Sequence, residues 1–260
     1  MLNLFLHLSN YMVPRPKNST ELGRMTKDLN KISIIIPVLN EAENIGRLLR
    51  YLSKNSSSKN VSEIIVVDGE STDRTAEIIK NFTLSDVKLI SSKKGRAKQM
   101  NVGAKASKGT ILYFLHADSF PPKHFDDFIL DEIQNGNKAG CFRLKFDSNH
   151  WWLRLAGWFT QFNFKACRGG DQSLFISREL FDKIGGFDES YIIYEDQLFI
   201  RQLYKRKQFI LINKPIVTSA RLYKKHGVFK LQYHFWMIYL KKWLGASASE
   251  LHEYYKEKIG

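Results

Sequence analysis

The stretch Ile34-Ile35-Ile36-Pro37-Val38-Leu39-Asn40-Glu41 decides how the rest of the chain is read. Residues 33–38 form a β-branched apolar run with almost no polar alternation, the pattern of a strand covered on both faces. The run stops on a polar pair, and residues 43–52 then place apolar side chains at helical spacing. The same unit recurs. Residues 63–67, 87–90 and 110–115 read as further strands, and 73–82 and 97–106 as further helices. Strands and helices alternating at this spacing predict βαβ units, hence an α/β fold with a mainly parallel sheet flanked by helices.

In such a sheet a ligand sits at the carboxyl ends of the strands. The residues at those ends have the chemistry of a site. Leu39-Asn40-Glu41 follows the first strand, Asp68-Gly69-Glu70-Ser71-Thr72-Asp73 the second, Lys93-Lys94-Gly95-Arg96 the third and His116-Ala117-Asp118 the fourth. Asn40, Thr72 and Asp73 also suit helix N-caps. Capping does not account for carboxylates after two strands and a Lys/Arg cluster after a third.

The second half is less regular. Residues 139–146 and 173–176 read as strands, 178–184 as a short helix ended by Gly185-Gly186, and 194–207 as a helix opening on Glu195-Asp196. Residues 151–164 are rich in Trp and Phe, and Trp151, Trp152 and Trp158 suit either an apolar acceptor site or core packing.

Composition narrows the partners. The 260 residues carry 40 Lys+Arg against 26 Asp+Glu, a net charge of +14, which calls for an anionic partner. From Gln197 onward the net charge is +10. Within that tail Phe235-Trp236-Met237-Ile238-Tyr239-Leu240 is flanked by Lys230, Lys241 and Lys242, a pattern suited to peripheral contact with an anionic membrane or to a helix packed on the core. Only Cys141 and Cys167 are present, which excludes a disulfide scaffold and a Cys-rich zinc site and fits a reducing compartment. No apolar run reaches the length of a spanning helix. The stretch 1–14 lacks a basic n-region and a small-residue cleavage site, so it is not read as a signal peptide. Residues 1–30 are expected to be a poorly ordered extension, with Met25 as the working start. A cytoplasmic place follows, peripheral at most on the inner face of the membrane.

Taken together these motifs resemble the family 2 glycosyltransferases, which have the GT-A fold. Residues 34–41 resemble their opening strand, 65–73 their second strand and turn, and 95–104 the helix after the third strand. Leu115-His116-Ala117-Asp118 falls where that family carries its Asp-x-Asp metal motif. Gly170-Asp171-Gln172 and Tyr194-Glu195-Asp196 resemble its acceptor-side turn and Glu-Asp motif. The likeness runs from about residue 31 to about residue 223. The variant pattern resembles a bacterial subgroup labelled transferase family 2. The resemblance divides the chain into a domain over 31–225, with a nucleotide-sugar half (31–118) and an acceptor half (119–225), and a basic aromatic helical tail over 226–260.

The resemblance implies a nucleotide-sugar donor, usually a UDP-sugar, and inversion at the anomeric carbon; it leaves the acceptor undefined, and the aromatic patch and basic tail suit a lipid-linked or apolar one. Pro37, Asn40 and Glu41 would line the nucleobase pocket, and Asp68 would accept from the uracil ring. A charged acceptor makes such a bond worth about 1.5–3 kcal/mol. Gly95, Arg96, Lys98 and Gln99 would lie near the donor phosphates, where helix N-terminal amides favour an anion. Asp118 would hold a divalent cation, Mg²⁺ or Mn²⁺, together with the diphosphate. His116 replaces the motif's first carboxylate and is expected at the ribose. His226 is a second candidate ligand, and Arg221 a clamp on the diphosphate. Asp171 and Gln172 would contact sugar or acceptor. Asp196 is the expected general base, and Glu195 would orient the site or bind acceptor.

Three rival classes are weighed, one of them a degenerate, non-catalytic nucleotide-binding scaffold that only His116 supports and that Asp68, Asp118 and Glu195-Asp196 argue against. A nucleotidyltransferase acting on a sugar phosphate would also use a parallel sheet, a metal-binding Asp and basic contacts. It usually opens with a Gly-rich loop, and no glycine stands here before Gly46 within 31–46. A nucleic-acid-binding protein would suit the charge, but no helix-turn-helix, zinc-finger or RNA-recognition signature is present.

Overall fold

A computed structural model describes residues 30–82 and 86–260 of the chain. The extension expected over 1–30 and its start at Met25 lie outside the described residues, Asn30 excepted.

The first half is a regular α/β succession: β1 (Ile32–Val38), α1 (Ala42–Asn55), β2 (Val61–Asp68), α2 (Thr75–Lys80), β3 (Val87–Ser91), α3 (Arg96–Ala106) and β4 (Ile111–Phe114). These four strands pair in parallel, with β1 between β2 and β4 and with β3 outside β2. The chain builds outward on one side of β1, then returns to place β4 on the other. The strand order therefore reverses between β1 and β4, and a crevice opens at their carboxyl ends. Alternate residues of β1 serve opposite layers. Ile34 and Ile36 pack with Ile45, Leu48 and Leu52 of α1, while Ile35 packs with Met100 and Ala104 of α3. This two-sided burial is why the run carries no polar alternation. A Cβ at Gly103 would come 2.5 Å from Ile35 Cγ2, so this glycine lets α3 lie close on the sheet.

The second half adds β5 (Ser119–Phe120), α4 (Phe125–Gln134), β6 (Ala139–Phe146), α5 (Trp151–Phe159), β7 (Leu174–Ser177), α6 (Arg178–Ile184), α7 (Glu195–Lys205) and β8 (Ile210–Thr218). The sheet order is β3-β2-β1-β4-β7-β6-β8-β5. Here β7 is antiparallel to both β4 and β6, and β5 to β8, while β6 and β8 are parallel.

Three substantial elements are missing from the sequence reading: α5, whose residues were read only as rich in Trp and Phe, α4 and β8. In α4 the acid Asp126 is buried among the apolar positions, where it accepts from Ser57 N and Asn60 Nδ2. That inward acid breaks the apolar period. In β8 the run Asn213-Lys214-Pro215 interrupts the strand pattern, and the register with β6 slips at Phe142/Arg143.

The chain ends in α8 (Arg221–His226), α9 (Val228–Trp243) and α10 (Ala248–Lys258). Leu231 and Ile238 of α9 form a small core with Leu251 and Ile259, against which Tyr191, Ile193 and Tyr194 pack. The helical extension is thus seated on the loop that precedes Glu195-Asp196. No helix among the described residues is long and apolar enough to cross a membrane.

Candidate active site

The carboxyl-end residues do gather, in short runs of contacts. Asp68, at the last position of β2, is buried and faces Ser71 N at 3.3 Å. Ser71 Oγ accepts from Asn40 N at 2.9 Å, and Asn40 Oδ1 accepts from Thr72 N at 2.8 Å. The two loops after β1 and β2 are thereby stitched together, with Asn40 and Glu70 both held at positive φ. Asp73 completes the stitch by accepting from Ala42 N and Thr75 N, at the starts of α1 and α2.

Glu41 continues the path. Its carboxylate accepts two hydrogen bonds from Arg221, which stands at the start of α8, 180 residues away. Arg221 Nε also lies 3.3 Å from Asp118 Oδ2. Asp147, directly after β6, accepts from Ala220 N at 2.6 Å and so fixes the turn that delivers Arg221. Burial raises the Asp118 carboxyl above its ordinary value, against the opposing pull of His116 and Arg221.

His116 stands two residues before Asp118, with Nδ1 3.5 Å from Asp171 Oδ1. Desolvation works against its proton, but Asp171 and Asp196 prevail and the imidazole is raised. Desolvation pushes the partner Asp171 up, and His116 and Arg96 together bring it below its usual range. Arg96, at the first turn of α3, places Nη1 3.4 Å from Glu195 Oε1 and 3.5 Å from Asp196 Oδ2. Arg96 was expected among the donor phosphates. Its partners are instead the acceptor-side pair, so it bridges the two halves of the fold.

The pair is asymmetric. The Glu195 side chain is 1% exposed and has no hydrogen-bond partner, whereas Asp196 is 15% exposed. Burial, and then the charge of Asp196, push Glu195 up to about 7, with Arg96 pulling the other way. Of the two roles expected for Glu195, orienting the site fits its burial and contacting acceptor does not. Gly170 packs directly on Asp196, where a Cβ would fall 1.9 Å from Oδ2 and 3.3 Å from His116 Cε1. Gly170→Ala is therefore expected to displace the Asp196 carboxylate and to lower any activity that rests on it at least about tenfold, which steady-state kinetics of the variant check.

Other expected contacts have different partners. Gln99 donates from Nε2 to Val38 O and Val67 O, both at 2.8 Å, and so ties α3 to the ends of β1 and β2. Gln172 is buried, donates to Phe142 O at 3.2 Å and accepts from Gly169 N. Through these atoms both glutamines serve as ties within the framework. Gly95, at φ 138°, turns the chain into α3, and Lys98 packs beside it. Pro37 lies within β1, opposite Val67. His226 ends α8 with Nε2 buried and without a hydrogen-bond partner. Among the described residues no three His, Cys, Asp or Glu side chains are grouped to hold a metal. The donor set near Asp118 is thus one carboxylate with a histidine already turned to Asp171. It fits a hard cation that takes its other oxygens from a bound diphosphate and water, and it does not fit a resident protein-caged metal. Sequence reasoning gave no role to Ser71, Asp147 or Gly170, although Ser71 and Gly170 stand inside the quoted motifs and Asp147 is a carboxylate immediately after a strand.

A cavity of about 370 Å³ opens beside Asp118, lined by Arg47, Tyr51, Asp147 and Ser219. A larger one of about 760 Å³ lies beneath α5, with Asp147 the one carboxylate in its lining. The converging charges, and not cavity size, locate the site.

Residues 33–208 match the model of glycosyl transferase family 2. The chain belongs to glycosyl transferase family 2. It is 27% identical over 199 residues to a probable glycosyltransferase, YdaM, of Bacillus subtilis, covering 67% of this chain and 47% of that one. It is 37% identical over 101 residues to glycosyltransferase AglE of Haloferax volcanii, covering 37% and 33%. The chain spans half or less of these relatives' lengths. Among solved structures it resembles Staphylococcus aureus TarS residues 1–349 in complex with UDP, with a TM-score of 0.60, 21% identity, and 73% of this chain and 60% of that one covered. That likeness supports the fold: a family 2 sheet with helices on both faces.

Proposed function

We propose that this family 2 chain is an inverting glycosyltransferase that moves a sugar from a UDP-sugar to a lipid-linked or apolar acceptor. One observation carries the reading: Glu41–Arg221–Asp118, His116–Asp171 and Arg96 with Glu195-Asp196 are contact groups that lie within electrostatic reach of one another at the sheet rim, beside the loop that Asp68 braces. The donor half of the reading draws support from the relatives, since TarS structures hold UDP and UDP-GlcNAc.

The chemistry follows from the residues. Asp196 accepts the proton of the acceptor hydroxyl as that oxygen bonds to the anomeric carbon. The bond from that carbon to the diphosphate oxygen breaks on the opposite face, and its electron pair leaves with the diphosphate. Departure there needs positive charge and no acid. Arg221 and Lys98 supply that charge, with Arg221 exchanging Glu41 and Asp118 for phosphate oxygens. A divalent cation held by Asp118 would neutralise further charge on the leaving group. Asp68 reads the base, His116 lies toward the ribose, and Glu195 holds Arg96 in place beside Asp196. The basic tail suits a peripheral position on an anionic membrane, where an acceptor of this class resides.

Calorimetry tests the donor half. UDP is expected to bind in the presence of Mn²⁺, and Arg221→Ala to weaken that binding about tenfold or more. Mn²⁺ alone is expected to bind weakly. Tight Mn²⁺ binding without nucleotide would overturn the assignment of Asp118, and unchanged UDP affinity in Arg221→Ala that of Arg221. A screen of UDP-, GDP- and dTDP-sugars for hydrolysis then identifies the donor.

A further inference from the structure

The tryptophans, read from sequence as an acceptor site or core, are neither buried nor beside Asp196. All five lie on α5 and α9, at positions 151, 152, 158, 236 and 243. On α9 the exposed large apolar residues are Phe229, Tyr233, Trp236, Tyr239, Leu240 and Trp243. Tyr239 meets Tyr194, and the other five, spaced four, three, four and three residues apart, form one helical stripe. The stripe lies opposite Leu231 and Ile238, which face the small core. The helix is thus apolar on two sides, and the outer one stays largely exposed among the described residues. On α5 the exposed residues Trp151, Leu155 and Trp158 repeat the same spacing. The two stripes meet: Trp151 and Trp152 contact Phe229 at 6.1 and 6.0 Å between ring centroids, and Trp152 contacts Trp236 at 6.2 Å. Exposure reaches 60% at Trp151 and 78% at Trp243. A continuous aromatic face of this extent marks an interaction surface.

We propose that the joined outer faces of α5 and α9 dock the protein on an anionic lipid bilayer. Charge selects that occupant. No Asp or Glu occurs between Asp147 and Asp171, or between Asp196 and Glu250. Lys241 and Lys242, expected beside the aromatic run, turn inward: Lys241 sits over the Tyr254 ring, and Lys242 donates to Tyr191 Oη and Ala246 O. The exposed cations left along the two helices and their approach are Arg154, Lys224, Lys225 and Lys230. Two copies meeting through this face would set those cations against their own kind, whereas anionic headgroups complement them. Tryptophan and tyrosine rings with a basic border suit the headgroup level of a bilayer. The cavity beneath α5, with Arg143, Lys145 and Arg154 in its lining, opens at this face. It shares Asp147 and Val217 with the cavity that reaches Asp118. Docking would put the mouth of that path at the lipid surface.

The inference deepens the peripheral-membrane part of the proposed function, and its test separates the two. The full chain is mixed with vesicles of phosphatidylcholine alone or with about 30% phosphatidylglycerol. Co-sedimentation and intrinsic fluorescence are read, all tryptophans being on the two helices. The expected result is sedimentation with the anionic vesicles and a blue shift of emission, both weakened by salt. Trp151→Ser with Trp243→Ser is expected to lower vesicle affinity at least about tenfold, with melting temperature and UDP affinity unchanged. Lys230→Glu, which leaves the aromatic face intact, is expected to weaken binding to anionic vesicles as well. No shift with either vesicle overturns the proposal, whether a second copy or residues 1–29 cover the face. So does a dimer in solution that the tryptophan double variant turns into a monomer. Loss of UDP binding in the wild-type chain would count against the transferase reading and leave the docking result standing.

Discussion

Asp196→Asn is expected to lower turnover for sugar transfer by about 10²–10⁴-fold, the range for loss of a general base. UDP affinity should stay within about twofold, because no donor contact is removed. The expectation rests on position. Of the adjacent acids that open α7, Glu195 is sealed from solvent and Asp196 is not, so only Asp196 can meet a hydroxyl brought from outside. Asparagine keeps the shape against Gly170 and leaves Arg96 its second partner, Glu195. What it loses is the capacity to take a proton. A fall confined to kcat would place the residue at the reacting oxygen, whereas a matching loss of UDP binding would place it on the donor. Retained turnover would remove Asp196 from the mechanism.

The rim of the site was legible because parallel sheets impose a rule that sequence can apply. Polar residues that interrupt a buried strand's exit, such as Asn40-Glu41 and Asp118, must lie at one edge of the sheet. What sequence could not supply was which of these groups meet. Glu41 and Arg221 are 180 residues apart, and their pairing depends on β8 returning beside β6 and on Asp147 catching Ala220 N. Neither β8 nor that turn was visible in the pattern. Gln99 and Gln172 stood in the right motifs, yet a motif does not say whether an amide faces ligand or backbone. The aromatic segment failed for a related reason. Helical spacing of Trp151, Leu155 and Trp158 predicts a shared face, and only tertiary packing decides whether that face turns inward.

Glu195→Gln is expected to stabilise the protein above pH 7 by about 3 kcal/mol and to change stability little below pH 4.5. The sign follows from the direction of the shift. Burial, reinforced by Asp196, raises the Glu195 carboxyl from 4.5 in the unfolded chain to about 7 in the folded one. Below pH 4.5 both states hold the proton and the group is neutral in its pocket. As pH climbs from 4.5 toward 7 the unfolded chain releases the proton and the folded chain retains it, so stability falls across that window. Above pH 7 both states are ionised, and the folded state carries a charge that Arg96, nearly half exposed, and His116 offset only in part. Glutamine removes the ionisation and with it the loss. Urea midpoints of the two proteins at pH 4 and pH 8 measure the effect: the gap should open at pH 8 and close at pH 4. An equal gap at both would mean that Glu195 and Arg96 form a settled ion pair throughout. The same buried acid would then be an ordinary strut, and not a group kept near its ionisation point beside the base it helps to orient.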